Sequence, residues 1–387
     1  MDFELSAEHK LIRATARRIA REKVLPRVFE IDQTQEYPED IFGVFRDAGL
    51  LGTALPEEYG GAGAGTLGLC LAVEETAKYC QSSALILLLT KLPTAAIQVA
   101  GTEEQKQKYL RGVANGDLRG AFGLTEPSAG SDVAGIRTVA RRRNGDYVLN
   151  GTKVWISGAT VADFFTIGAK TDASARTKGF SIFVVDRDTP GFRVGKHEKK
   201  MGVRGVPNCE LIMEDCVVPA RNLVGPENSG FHLLMRNLNI VRPVVAARGL
   251  GAAQGVLQYA VDYAKQREAF GQPISQLQAL QFKMADRAME IEASRLLTYQ
   301  AAQMVDEGKI GPEHAHMLSI AKAFATETAV RTAHDALQIL GAYGYSAESL
   351  TELIYRDVRQ LMIVEGTSEV HRTIIARAML NDILNYR

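Results

Sequence analysis

Hydrophobic period changes twice along this chain, and few architectures accommodate both changes. From about residue 3 to 115 apolar residues recur at helical spacing. In LSAEHKLIRATARRIAREKV, for example, Leu5, Leu11, Ile12, Ile19 and Val24 share one stripe and charges fill the other face. Near residue 119 the pattern becomes a series of short β-branched or aromatic runs: TVARRR, DYVLNG, KVWISG, FFTIGAK, FSIFVVD and CELIMEDCVV. Turn residues separate them, and Asn144-Gly145 between two such runs is a hairpin signal. From SGFHLLMRNLN onward the helical period returns, broken at Pro273, at 308–313 and at 340–346. The expected fold is α+β and mainly α. It has an N-terminal helical domain (1–118), a middle antiparallel β domain (119–229) and a C-terminal four-helix bundle (230–387). Bundle helices are expected at about 230–267, 275–306, 312–340 and 368–383, because long helices with short links pack antiparallel. A chain of 387 residues exceeds what one core supports, which agrees with several lobes.

Lysine plus arginine equals aspartate plus glutamate, 45 each, so no global field draws nucleic acid or an anionic membrane, and neither is expected as a partner. Cys70, Cys80, Cys209 and Cys216 are scattered without metal-ligand spacing, so no metal site is expected and a reducing compartment is. The first residues, MDFELSAEHKLIRATARR, lack a signal-peptide apolar core, and ALILLL at 84–89 is too short to span a bilayer. A cytoplasmic location is the expectation.

Two junctions are candidates for chemistry. GLTEPSAGSDVAG (123–135), where helix hands over to strand, is dense in small residues and hydroxyls that suit an anion or a polar ring edge. It has neither the GK[ST] of a phosphate loop nor a GxGxxG after a strand. The second, LMIVEGTSEVHR (361–372), places Glu365 between an apolar run and Gly366-Thr367-Ser368. A carboxylate there is either a solvated loop end or a group whose pKa is raised for use. Taken alone, GAYGY at 341–345 reads equally as a glycine-rich helix–helix turn.

Together these segments resemble the acyl-CoA dehydrogenase family over essentially the whole chain. GLTEPSAGSD, NGTKVWISGA, KQREAFGQPI, LQILGAYGY and VEGTSEV match its signatures in order and spacing. The resemblance implies FAD as cofactor and α,β-dehydrogenation of an acyl-CoA thioester to the trans-2-enoyl product, with an electron-transferring flavoprotein as acceptor. It implies that Leu124 and Thr125 face the isoalloxazine, Gly130 and Ser131 approach the pyrophosphate, Trp155 covers the flavin and Ser157 bonds its N5. Arg267 and Phe270 would reach the FAD of a neighbouring subunit in a homotetramer or homodimer, with Gln338, Gly341 and Thr367 completing the site. Glu365 aligns with the catalytic base, and its backbone N–H with a donor to the thioester oxygen. Gly366, Ser131, Asn239 and Arg242 fall at the substrate.

Three positions depart from the family pattern: Asn239 where aspartate is frequent, Ala342 where a second glycine is common, and Val364 where tyrosine often precedes the base. Asn239 and Val364 keep open a substrate tethered to a carrier protein. An oxidase or flavin monooxygenase on the same fold is a further alternative, and retention of Glu365 argues against the monooxygenase. The leucines of ALILLL either shorten an acyl tunnel or face the core.

Overall fold

The computed structural model describes residues 4–385, so the outermost limits expected for the first and last domains, 1–3 and 386–387, lie outside the described residues. Helices at Ala7–Ile19, Val28–Thr34, Glu39–Asp47, Gly65–Ala77, Gln81–Lys91 and Ala95–Ala100 come first. Their ends carry the capping chemistry that unpaired backbone N–H groups require: the Ser6 hydroxyl accepts from His9 N, and Thr102 with Gln105 forms a capping box. By length and composition alone the helical run Gln81–Ala100 could cross a membrane, but 83% of its most apolar 18-residue stretch is buried inside the protein, which makes it a core element. All the residues from Leu85 to Leu89 are buried there.

Eight strands follow: β1 (Gly120–Gly123), β2 (Val139–Arg143), β3 (Asp146–Ser157), β4 (Phe164–Lys170), β5 (Phe180–Asp186), β6 (Phe192–Glu198), β7 (Asn208–Val218) and β8 (Leu223–Val224). They form one sheet in the order β6-β7-β3-β2-β4-β5-β8, with β1 added beside β4. Asn144 and Gly145, both at positive φ, turn β2 into β3 as the sequence predicts. Pairing is antiparallel apart from β1–β4 and a single β2–β4 contact, which are parallel. The exception has a topological cause: β1 leads into the sheet from the helices and reaches β4 over the intervening loop and hairpin. β3 pairs with β7 along most of its length, and the register shifts between Lys153 and Ile156. A bulge there re-aims a side chain, and Trp155 adopts φ 63°.

A buried ion pair ties the β1–β2 loop to the sheet. Lys153, with no exposed surface, donates from Nζ to Glu126 Oε1 at 2.7 Å and to the Leu124 carbonyl oxygen at 3.1 Å. Glu126 also accepts from the backbone N–H groups of Arg137 and Thr138. Burial pulls the Lys153 amine down to about 8 against the opposing pull of Glu126. Glu126 stays below the ordinary carboxylate range, because Lys153 and the two backbone donors outweigh burial.

The remaining chain is helical apart from one short hairpin: Gly230–Gln266, Gln278–Asp306, Ala315–Leu340 and Ser368–Leu380 form the expected bundle. An additional helix, Leu350–Val358, buries Leu350, Leu353, Ile354 and Val358 at helical spacing. Gly251 and Gly255 let the first bundle helix lie against the N-terminal helices, since a Cβ at Gly255 would sit 1.9 Å from the Lys78 carbonyl oxygen. Replacing Lys153 by methionine should leave Glu126 buried without its cation and cost about 3 kcal/mol or more. The measurement is thermal or urea unfolding, and an unchanged midpoint would show that the pair does not hold this loop.

Candidate active site

The LMIVEGTSEVHR stretch is a tight turn between a 3-10 segment, Arg359–Met362, and the last helix. Glu365 adopts φ 53° and Gly366 φ 98°, so two successive residues occupy the left-handed region. For a non-glycine residue this is strained, and such strain concentrates at functional sites. The φ of Gly366 disfavours any other residue, and a Cβ there would also meet His371 Nε2 closely, at 3.1 Å. Thr367 caps the last helix, its hydroxyl accepting from Val370 N. Neither the carboxylate nor the backbone N–H of Glu365 hydrogen-bonds to another described residue, which leaves one acceptor and one donor free at the same position.

Three cations act on that carboxylate. Burial pushes Glu365 above its ordinary value, while Lys322, Arg242 and Arg248, in that order, pull it back. Lys322 has no exposed surface and donates from Nζ to the Gly366 carbonyl oxygen at 2.7 Å, which holds the turn from the third bundle helix. Burial lowers its amine to about 7. Arg242 is buried and donates to Asn239 Oδ1, and Asn239 in turn donates to the Ile310 carbonyl oxygen at 2.9 Å. Both polar ends of Asn239 are therefore engaged within the protein, and because asparagine is neutral it does not cancel the charge of Arg242. His371 lies fully buried beneath Gly366 with both ring nitrogens unpartnered. Burial drives it down to about 2, so it stays neutral and adds no fourth charge.

The first junction is pinned to the strand that carries Trp155. Thr125 accepts from Val154 N at 2.8 Å, and Asn208 donates to the Trp155 carbonyl oxygen and to the Ser157 hydroxyl. Leu124 is buried, Thr125 and Ser157 are half-buried, and Gly130 and Ser131 are exposed. The indole of Trp155 is 53% exposed, an unusual fate for the one tryptophan of the chain. The hydroxyls of Thr125 and Ser131 have no partner among the described residues, and a Cβ on Gly130 would meet nothing within 4 Å. An exposed aromatic, free hydroxyls and an open glycine turn fit a planar heterocycle with a diphosphate tail.

Arg267, Phe270, Gln338 and Gly341 are exposed. Phe270 and Gly271 form the two-residue tip of a hairpin between Glu268–Ala269 and Gln272–Pro273, both at positive φ. Phe270 is 91% exposed, so nothing in its own chain covers it. Gly341 combines φ 59° with ψ −134°, a conformation essentially restricted to glycine, and faces open space.

Comparison with known proteins agrees with this geometry. Residues 6–117, 121–216 and 228–380 match the N-terminal, middle and C-terminal domains of acyl-CoA dehydrogenases. An acyl-CoA dehydrogenase from Bacillus subtilis (strain 168) is 41% identical over 379 residues, which is 98% of this chain and 99% of that one. The chain belongs to the acyl-CoA dehydrogenase family. Among solved structures, butyryl-CoA dehydrogenase from Megasphaera elsdenii superposes with a TM-score of 0.95 at 39% identity, over 98% of this chain and 100% of the other. A structure described as the electron transferring flavoprotein of Acidaminococcus fermentans has a TM-score of 0.96 at 42% identity, over 99% and 100%. The protein is therefore an oxidoreductase of the acyl-CoA dehydrogenase type, and its family implies FAD.

Sequence reasoning missed Lys322, Arg248, Lys153 and the structural use of Glu126. Two of these have a visible signal: Lys322 interrupts SIAKAFA and Arg248 interrupts VVAARGLG, charges set within runs of small or apolar residues. In this dehydrogenase Lys322→Met removes the largest cationic influence on Glu365, so the ionised carboxylate loses support and its pKa rises further. Infrared titration, with a Glu365→Gln sample subtracted to assign the band, should place the carboxylate signal at higher pH than in the native protein. An unchanged midpoint would remove Lys322 from the electrostatics of the site.

Proposed function

We propose that this acyl-CoA dehydrogenase forms the trans-2-enoyl thioester with Glu365 as the base that removes the α-proton. The observation that carries this reading is the state of Glu365: a strained, half-buried residue with an unpartnered carboxylate and an unpartnered N–H. Removing a proton next to a thioester carbonyl requires stabilisation of the oxygen as it gains negative charge. The free N–H of Glu365 supplies one donor, and Gly366 lets the backbone come close. A carboxylate raised by burial is a stronger base than a solvated one, and the nearby cations favour its ionised form against that rise.

Leu124, Thr125, Gly130, Ser131, Trp155 and Ser157 of one chain would hold FAD, with Thr367 beside it. Arg267, Phe270, Gln338 and Gly341 of a second copy would complete the site. When bound, FAD supplies the two-electron acceptor for the hydride that leaves the β-carbon. Trp155 excludes water from that face, and the arginine fork of Arg267 suits a diphosphate. Assembly into a homodimer or homotetramer is supported by Phe270 and by Phe282, Met289 and Leu296, exposed apolar residues spaced seven apart on one bundle helix. An electron-transferring flavoprotein as the next acceptor is supported by the neighbour from Acidaminococcus fermentans that carries this description.

Glu365→Gln should keep the fold and FAD but slow anaerobic flavin bleaching by acyl-CoA by at least about three orders of magnitude, as expected when a reaction loses its base. Near-native bleaching would eliminate Glu365 from that role. In the native enzyme the rate should rise with pH through the raised pKa of Glu365, since only the ionised form accepts a proton, and the limb should lie above the ordinary glutamate value of about 4.3. Arg267→Ala should lower the FAD content of the purified protein; full occupancy would contradict a cofactor site shared between copies.

A further inference from the structure

Asn208 lies directly opposite Ser157 where β7 pairs with β3, just beyond the bulge that carries Trp155. All three polar capacities of its amide are engaged. Nδ2 donates to the Trp155 carbonyl oxygen at 2.9 Å and to the Ser157 hydroxyl oxygen at 3.2 Å, while Oδ1 accepts from Lys200 Nζ at 2.7 Å. The two ends of an asparagine amide are told apart by their partners, and here two partners agree. An ammonium can meet only Oδ1, and a carbonyl oxygen can meet only Nδ2. That orientation settles the hydroxyl of Ser157. Its oxygen is the acceptor in the bond from Asn208, so its one hydrogen is left over, and no described residue takes it.

The base of this clamp is itself held on several sides. Lys200 directs its three N–H groups to the carbonyl oxygens of Val203 and Val206 and to Asn208. Burial lowers its amine to about 8, so the ammonium prevails at neutral pH. Val203 N donates to Asp357 Oδ1 at 2.6 Å, and Gly205 N donates to the Ser82 hydroxyl at 3.2 Å. The loop that carries Lys200 is therefore tied both to the Gln81–Lys91 helix of the first domain and to the Leu350–Val358 helix of the last. Val203 is held at φ 52°, a left-handed conformation that a β-branched residue rarely adopts. Such strain persists where the surroundings over-determine it, and it concentrates at functional sites.

We propose that Asn208, clamped by Lys200, is a positioning residue that commits the Ser157 hydroxyl to act as a hydrogen-bond donor toward the oxidised flavin ring. The inference rests on the reading in which Ser157 and Trp155 hold FAD. An oxidised isoalloxazine has unprotonated ring nitrogens that accept hydrogen bonds, and a free hydroxyl could meet them with either its hydrogen or its lone pairs. With the oxygen occupied by Asn208, only the hydrogen remains. The donor is thus aimed before the ring arrives, which spares reorganisation on binding. The same amide fixes the Trp155 carbonyl, so one side chain sets both the donor and the backbone of the covering aromatic.

The test inverts the amide's donor end with Asn208→Asp, whose carboxylate keeps the bond from Lys200 but can only accept from Ser157. Resonance Raman spectra of the FAD-loaded proteins report hydrogen bonding to the ring nitrogens of the oxidised flavin. The sensitive ring band should move in Asn208→Asp to the position it takes in Ser157→Ala, because both variants deprive the ring of the same donor, and Ser157→Thr should keep the native position. Calorimetric titration of FAD into the cofactor-stripped full-length proteins gives a second readout. Asn208→Asp should weaken FAD about fivefold where Ser157 is present and by no more than about twofold in the Ser157→Ala background, so that the added charge is accounted for separately. A native band in Asn208→Asp, or equal losses of affinity with and without the Ser157 hydroxyl, would overturn the proposal while leaving the flavin site intact. No change of band or affinity in Ser157→Ala itself would remove Ser157 from the flavin and overturn the reading beneath the proposal. Should Asn208→Asp not fold, Asn208→Ala decides: the freed hydroxyl should shift the band part-way toward that of Ser157→Ala, and a native band would overturn the proposal.

Discussion

A carboxylate held with no hydrogen-bond partner, in a turn too tight for ordinary backbone geometry, is the feature on which the rest of the site depends. Burial raises the pKa of Glu365, which strengthens it as a base, and Lys322, Arg242 and Arg248 oppose the rise. The neutrality of Asn239 and of His371 belongs to the same balance. A carboxylate at 239 would draw Arg242 away, and a charged His371 would add a further cation beneath the turn.

Buried lysines recur as the means by which regular elements fix irregular ones. Lys153 on β3 holds the backbone at Leu124 and the side chain of Glu126, and Lys322 on a bundle helix holds Gly366. Lys200 likewise donates to the carbonyl oxygens of Val203 and Val206. An ammonium has three donors on a flexible stem, so a single side chain can satisfy several loop carbonyls that would otherwise be buried unpaired. The two junctions that the sequence marks as chemical are thereby held by side chains that the sequence does not mark as functional.

The helix–sheet–helix order was legible because it rests on periodicity, which a single chain displays directly. The Asn144-Gly145 hairpin was legible because few residue pairs accept positive φ at both positions. Leu350–Val358 escaped because nine residues give too little periodic signal beside the longer helices. Glu365 stood out as an acid in an apolar run, but its neighbours did not: Lys322 and Arg248 lie 43 and 117 residues earlier, and only folding brings their charges to it. The parallel pairing of β1 with β4 was hidden for the same reason, because it depends on how the first domain delivers the chain to the sheet.

The most direct test of Glu365 as a proton-abstracting base follows the proton alone. A saturated acyl-CoA with no hydrogen at its β-carbon is incubated with the native protein in deuterium oxide, and deuterium entering the α-position is measured by mass spectrometry. Exchange well above the uncatalysed rate, abolished by Glu365→Gln, is the predicted result. Exchange that persists undiminished in the Glu365→Gln protein would contradict the role assigned to this carboxylate.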